Sequence, residues 1–375
     1  MKAKPMTKIR LTQALVLSAV ALAAGCSMAP KYERPEAPVA TDWPGLRLAR
    51  SLAVVPTGAS TAVQTTAAAD IEWQSFFSDP KLRLMIEAAL NGATPKSRQP
   101  HTPKTPAEIT VDALACLDAG AGVVHSHIDG YGDIGDVASE AYWAGWAPVL
   151  EARPDAILYA TVAGGKSPED RFGHYRTLAR RGMRMGALDP GSVNLANHGQ
   201  DGLPGTTSFV YQTSYKDIAW LNDLLAAERL GPSIAIYEPG FLRATLAYHR
   251  AGKLPAGAFV KFYFGGDYNM LDGQKSNVTF GLPPTEKALE AYLEMMEGCD
   301  LPWAVTIFGG CVTATGLARM AIERGGHVRV GLEDYAGPRT PSNVELVEEV
   351  VEIAWACGRP VATSAETAQL LRLPT

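Results

Sequence analysis

Two histidines two residues apart, in Val123-Val124-His125-Ser126-His127, close an apolar run of β type. Side chains alternate along a strand, so both imidazoles project from one face and can reach one ion. Two unrelated histidines, one structural and one exposed, would satisfy the same pattern. A second run, His327-Val328-Arg329-Val330-Gly331-Leu332-Glu333-Asp334, reads as a strand whose positions 329, 331 and 333 share a face. In a barrel this places an arginine and a carboxylate in the lumen, where a charge must be paired or metal-bound. Residues at the C-terminal ends of different barrel strands converge on one site, and His125, His127 and Glu333 all occupy such ends. Two imidazoles and one carboxylate, with a fourth position left to water or substrate, form a catalytic zinc pattern. An Arg329–Glu333 pair without metal is the other reading.

The elements that must position these groups are short β-rich runs separated by helical segments, the signature of βα units around a parallel sheet. Strands are expected at 84–90, 122–127, 156–162, 185–189, 233–237, 258–264, 303–308 and 327–333. Eight such units close a (β/α)8 TIM barrel. Thr105-Pro106-Ala107-Glu108 is a capping-box start, Gly120 follows the last turn of that helix, and Pro168 and Pro341 sit where first turns begin. A doubly wound sheet would need a glycine-rich dinucleotide loop after its first strand, and Gly92-Ala93-Thr94-Pro95 is not one.

The stretches Glu87 to Pro95, Thr105 to Ile109, Ala119 to His127, Trp303-Ala304-Val305, Gly326 to Asp334 and Pro341 to Val347 resemble, in colinear order over residues 84–373, the beta-keto acid cleavage enzymes. The type member of that family is 3-keto-5-aminohexanoate cleavage enzyme. The resemblance implies a zinc-dependent barrel that condenses a β-keto acid with acetyl-CoA and cleaves the product to acetoacetate and a new CoA thioester. It assigns His125, His127 and Glu333 to Zn2+, Arg329 and Asp334 to a substrate-activating dyad, and Thr161 and Ser192 to polar contacts with the substrate. Where the type member carries acidic residues, just after the first strand and on the fifth, this sequence reads Asn91-Gly92-Ala93-Thr94 and Ser233-Ile234-Ala235-Ile236-Tyr237-Glu238. Glu238 is the nearest replacement on the fifth strand, unless it only caps the next helix.

The N-terminal part has another character. Lys2, Lys4, Lys8 and Arg10 precede an apolar run from Leu11 to Gly25 that ends at Cys26, too short for a permanent span and of signal type. Leu22-Ala23-Ala24-Gly25-Cys26 resembles a lipobox. Met28 to Pro35 and Asp70 to Leu82 resemble the mature N-terminus of outer-membrane efflux lipoproteins, and residues 36–69 read as an Ala/Thr/Pro/Ser-rich linker. The expected division is a signal segment at 1–26, a linker at 27–83 and the barrel at 84–375. The channel-forming hairpins of an efflux protein are missing, so an envelope lipoprotein is the weaker of two function classes; another zinc aldolase or hydrolase is a third. Acetyl-CoA places the barrel in the cytoplasm, whereas a working lipobox would take it to the cell envelope and its membrane. A gene fusion or mis-joined frame near 80–85 would reconcile the two.

Composition agrees with an enzyme body. With 34 basic against 39 acidic residues and a net charge of −5, the chain supplies no long-range field for nucleic acid. Cys26, Cys116, Cys299, Cys311 and Cys357 form no CxxC pair, which argues against a disulfide framework or zinc knuckle. The expected partners are a β-keto acid, acetyl-CoA and further copies of the chain in a homo-oligomer.

Overall fold

The computed structural model describes residues 83–130, 132–206 and 209–374. The signal segment with Cys26 and the linker as far as residue 82 lie outside the described residues. Each apolar run expected to be a strand becomes one: β1 (Ile86–Ala89), β2 (Val123–Ser126), β3 (Leu158–Ala160), β4 (Met185–Leu188), β7 (Gly231–Ile236), β8 (Phe259–Gly265), β9 (Trp303–Phe308) and β10 (His327–Val330). They form one parallel sheet in the order β3-β2-β1-β10-β9-β8-β7-β4. Chain order around this circuit, with β1 beside β10, is that of a (β/α)8 barrel. Among the described residues no ladder joins β3 to β4, so the barrel is nearly closed. The remaining strands, β5 (Ser192–Val193) and β6 (Tyr211–Gln212), pair antiparallel as a separate ribbon.

The helices between the strands are α1 (Pro106–Ala119), α2 (Gly135–Ala152), α3 (Pro168–Phe172), α4 (His174–Arg180), α5 (Tyr215–Ala227), α6 (Pro239–Arg250), α7 (Glu286–Met295), α8 (Leu317–Glu323), α9 (Asn343–Ala356) and α10 (Ser364–Leu371). Their starts are written in local chemistry. Thr105 and Glu108 close a reciprocal capping box on α1, and Gly120, at φ +121°, ends it. Pro168 opens α3, while Pro341 lies just ahead of α9, whose cap is Ser342 paired with Glu345. No helix of the described residues is long and apolar enough to cross a membrane.

Alternation sorts each strand. On β1 the side chains of Ile86 and Ala88 join the buried apolar layer, and Glu87 between them is buried and bonded across the lumen. Asn343, the first residue of α9, ties the layers together. Its Nδ2 donates to Leu90 O at 2.8 Å and to Asp112 Oδ2 on α1 at 2.6 Å, and its Oδ1 accepts Leu332 N at 2.8 Å. Burial pushes the Asp112 carboxyl from its ordinary 3.8 up to about 6, against the pull of Asn343. A raised carboxyl favours folding below its unfolded value and loses that contribution as pH climbs through its folded value. Asp112→Asn is therefore expected to be about 1–2 kcal/mol more stable than the wild type at pH 7.5. That advantage should vanish near pH 4; urea unfolding at the two pH values measures it, and equal curves at pH 7.5 would contradict the assignment.

Candidate metal centre

His125 lies on β2 and His127 one residue past its end, so the expected alternation brings both to the same side. Asn91, just beyond β1, fixes the second. Its Oδ1 accepts His127 N at 2.7 Å, and its Nδ2 donates to His127 O at 3.1 Å and to Pro103 O at 2.8 Å. The ring of His125 stacks on Tyr159 at 4.3 Å, and its Nδ1 lies 3.1 Å from Tyr159 O. A carbonyl can only accept, so Nδ1 carries the proton and Nε2 keeps its lone pair. Burial pushes His125 down to about 4, against the pull of Glu333, and so keeps the ring neutral.

Glu333 arrives differently from expectation. β10 ends at Val330, and residues 331 to 335 turn back, so positions 329 and 333 meet as neighbours across a turn instead of along a strand face. The turn needs Gly331. Its φ is +138°, and a Cβ there would stand 2.0 Å from Ala89 O. Tyr335 N and Asp334 N both bond to Gly331 O, at 2.9 and 3.2 Å, while Glu333 N reaches Ala89 O at 3.2 Å. The carboxylate then meets His125 Nε2 at 3.2 Å and His127 Nε2 at 2.9 Å.

One ligand atom from each of the three side chains lies within 4.8 Å of the others. Desolvation opposes ionisation of Glu333, but the charges around it, Arg329 first, outweigh it and hold the carboxyl well below its usual range. An ionised carboxylate and a neutral imidazole with its lone pair inward are the protonation states a divalent cation requires. The donor set fits a metal that takes nitrogen and oxygen ligands with a position left open.

Beneath the triad sits Arg329, fully buried on β10. Its Nε donates to Asp334 Oδ2 at 2.7 Å, and its Nη2 to Glu333 Oε2 at 2.7 Å and Asp334 Oδ1 at 3.2 Å. Nη1 donates to Glu87 Oε1 at 2.5 Å and to Tyr159 OH at 3.0 Å. Thr306 Oγ1 on β9 adds a bond to Asp334 Oδ2 at 2.9 Å. Burial raises the Asp334 carboxyl despite the guanidinium beside it. The expected groups His125, His127, Glu333, Arg329 and Asp334 are thus one contiguous cluster.

Neither of the other two expected residues is hydrogen-bonded to that cluster. Thr161 follows β3, one step past the last ladder pair Ser126–Ala160, and so flanks His127 by register; its backbone N donates to Tyr142 OH at 3.2 Å. Ser192 is exposed on β5, and its hydroxyl accepts Thr213 N at 3.2 Å. It lines a cavity of about 440 Å³ with Glu238, Tyr215 and Phe241. Glu238 occupies the N-cap position of α6 without capping it; its Oε1 accepts Gly281 N at 3.0 Å. A cavity of about 600 Å³ opens at the opposite end of the barrel beside Met85 and His327, away from the triad.

Glu87, Tyr159 and Lys261 were not among the expected site residues. Their signal is present in the sequence: Glu87 and Lys261 are lone charges inside the apolar runs Leu84–Leu90 and Ala258–Phe264. Such a residue is tolerated in a buried strand only where a partner waits.

The profile of the beta-keto acid cleavage enzyme family matches residues 83–373. The chain belongs to this family. It is 26% identical over 306 residues to a 3-oxoadipate:acetyl-CoA acetyltransferase of Cupriavidus necator, covering 78% of this chain and 95% of that protein. It is 27% identical over 296 residues to a 3-keto-5-aminohexanoate cleavage enzyme of Acetoanaerobium sticklandii, covering 77% and 98%. The fold is shared with the binary complex of ObcA with oxaloacetate, at a TM-score of 0.53 and 18% identity over 75% of this chain and 69% of the other. A short N-terminal stretch matches outer-membrane efflux proteins, among them OprJ of Pseudomonas aeruginosa, 40% identical over 73 residues, 19% of this chain and 12% of that protein.

Because Glu333 depends on the turn at Gly331, Gly331→Ala should cost about 3 kcal/mol or more of stability. Denaturant unfolding of the variant against the wild type measures this, and a loss below about 1 kcal/mol would mean the turn tolerates a side chain.

Proposed function

We propose that this protein is a zinc-dependent beta-keto acid cleavage enzyme that condenses a β-keto acid with acetyl-CoA and releases acetoacetate and a new acyl-CoA. The observation that carries the reading is the convergence of His125, His127 and Glu333 directly above the Arg329–Asp334 pair. These three side chains would hold Zn2+, whose contribution when bound is Lewis acidity toward the keto group. Family membership and the acetyl-CoA named in the Cupriavidus relative support acetyl-CoA as the co-substrate, its acetyl group going to acetoacetate and its CoA taking the new acyl group.

The protein's own groups then have separable tasks. Arg329 and Thr306 both donate to Asp334 Oδ2, whereas Oδ1 has only the longer Nη2 contact. Oδ1 is accordingly the atom that takes the proton from the substrate carbon, with the carboxylate plane fixed by the guanidinium. Arg329 holds the Asp334 and Glu333 carboxylates in place without giving up its own proton. Thr161, beside His127, is assigned a hydroxyl contact to the substrate, and Ser192 a contact in the outer cavity it shares with Glu238. The place of action is the cytoplasm, where acetyl-CoA is found. Recovery of an N-terminal peptide carrying lipid on Cys26, joined to the barrel, would overturn that placement.

Metal analysis of the purified protein and an acetyl-CoA-dependent acetoacetate assay over a panel of β-keto acids test the activity. Zinc near one equivalent with acetoacetate formed only when acetyl-CoA is present is the expected result; keto-acid consumption without acetyl-CoA would favour a hydrolytic or aldolase reaction instead. His125→Ala should lose metal affinity by at least about tenfold. Asp334→Asn should keep its metal and lose about a hundredfold or more in kcat. Full turnover by zinc-loaded Asp334→Asn would remove Asp334 from the chemistry.

A further inference from the structure

Lys261, on β8, is the one lysine among the described residues that is fully buried, and it takes no part in the chemistry assigned to Arg329 and Asp334. Its ammonium donates to Glu87 Oε1 at 3.1 Å, to Tyr159 OH at 2.7 Å and to Ser233 Oγ. An ammonium has three protons and no acceptor capacity, so the three contacts match its donors; burial pushes Lys261 down, and the Glu87 charge beside it opposes that. Glu87 Oε1 in turn accepts from Lys261, from Arg329 Nη1 and from Tyr159 OH, while its buried Oε2 has no partner. One carboxylate oxygen is therefore shared by two cations that reach it from different strands.

Arg329 faces three carboxylates, those of Glu87, Glu333 and Asp334. Among the described residues, Glu87 is the one of these three carboxylates with a lysine also within reach, 3.1 Å away. In a dry lumen an unshared Glu87 charge would draw the guanidinium toward itself, because Coulomb attraction is weakly screened there. We propose that Lys261, acting through Glu87, is a positioning residue that shares the Glu87 charge and so keeps Arg329 turned toward Asp334 and Glu333. The inference rests on the roles given above to Arg329 and Asp334.

The test compares zinc-loaded wild type, Lys261→Met, Lys261→Gln and the double variant Glu87→Gln/Lys261→Met in the acetoacetate assay, with a crystal structure of Lys261→Met as a second readout. Loss of the lysine charge should lower kcat by at least about tenfold with KM within about twofold. Lys261→Gln keeps a hydrogen-bond donor without the charge, so it should fail as Lys261→Met does. The double variant, with both charges of the pair removed, should recover most of the lost kcat. In the crystal the Arg329 Nε–Asp334 Oδ2 contact of 2.7 Å should open beyond hydrogen-bond range. A Lys261→Gln variant with wild-type kcat would reduce Lys261 to a hydrogen-bonding filler, and a double variant no better than the single would exclude charge sharing. Inactive wild type would defeat the proposed function, and the position of Arg329 in Lys261→Met would still decide this inference.

Discussion

A guanidinium sealed inside a barrel is the constraint to which the surrounding elements answer. Arg329 has five N–H donors in a fixed planar fork, and each finds a partner: Nε on Asp334, Nη1 on Glu87 and Tyr159, Nη2 on Glu333 and Asp334. Burying such a cation costs several kcal/mol unless its charge and its hydrogen bonds are both met. Meeting them takes groups from β1, β3 and the turn after β10, which is possible only because the sheet curls until β1 lies beside β10. The barrel and the charge cluster thus require each other. A lysine at 329 would supply the charge but could not span five acceptor positions in one plane.

The same guanidinium links the two halves of the site. Glu333 faces the imidazoles with both oxygens and accepts Arg329 with one of them, so its orientation is set before any ion arrives. Preorganisation of this kind reduces what a metal must spend in ordering its ligands. Backbone staging completes the arrangement: Asn91 holds the chain at His127, and Asn343 holds it at Leu332 while also bonding Leu90 and Asp112. Two buried asparagines, each spending both ends of its amide on main chain, thereby fix the segments that carry His127 and Glu333.

How much of this is legible in the sequence follows from the range of each signal. Alternation and apolar runs act locally, so all eight barrel strands and the facing of His125 with His127 can be read from short windows. The route of Glu333 cannot. Strand alternation from Arg329 leads to the right residue by the wrong path, because the same pairing arises from a turn that a single glycine φ makes available. Glu87 and Lys261 are visible as misplaced charges, but their partnership joins positions 174 residues apart and depends on which strands face each other across the lumen. The hydroxyl of Thr161 and the outer position of Ser192 depend on where loops lie, and loop placement carries the weakest sequence signal of all.

The cluster's depth bears on which groups of this chain can be replaced at little cost. Glu87, Lys261 and Arg329 are sealed by packing and engaged with one another, so a substrate side chain has no room to address the first two. Relatives about a quarter identical to this chain are named for different keto acids. In this chain the groups replaceable without unbalancing a buried charge are at the strand ends and beyond: Thr161, Ser192 and Glu238, each less than fully buried and none bonded to the guanidinium. Substitution there changes shape or polarity at the cost of one or two hydrogen bonds. Substitution in the lumen leaves a charge unpaired, at a cost of about 3–5 kcal/mol. The barrel of this chain is thus divided into an electrostatic floor fixed by paired charges and a rim whose groups are bound by single hydrogen bonds.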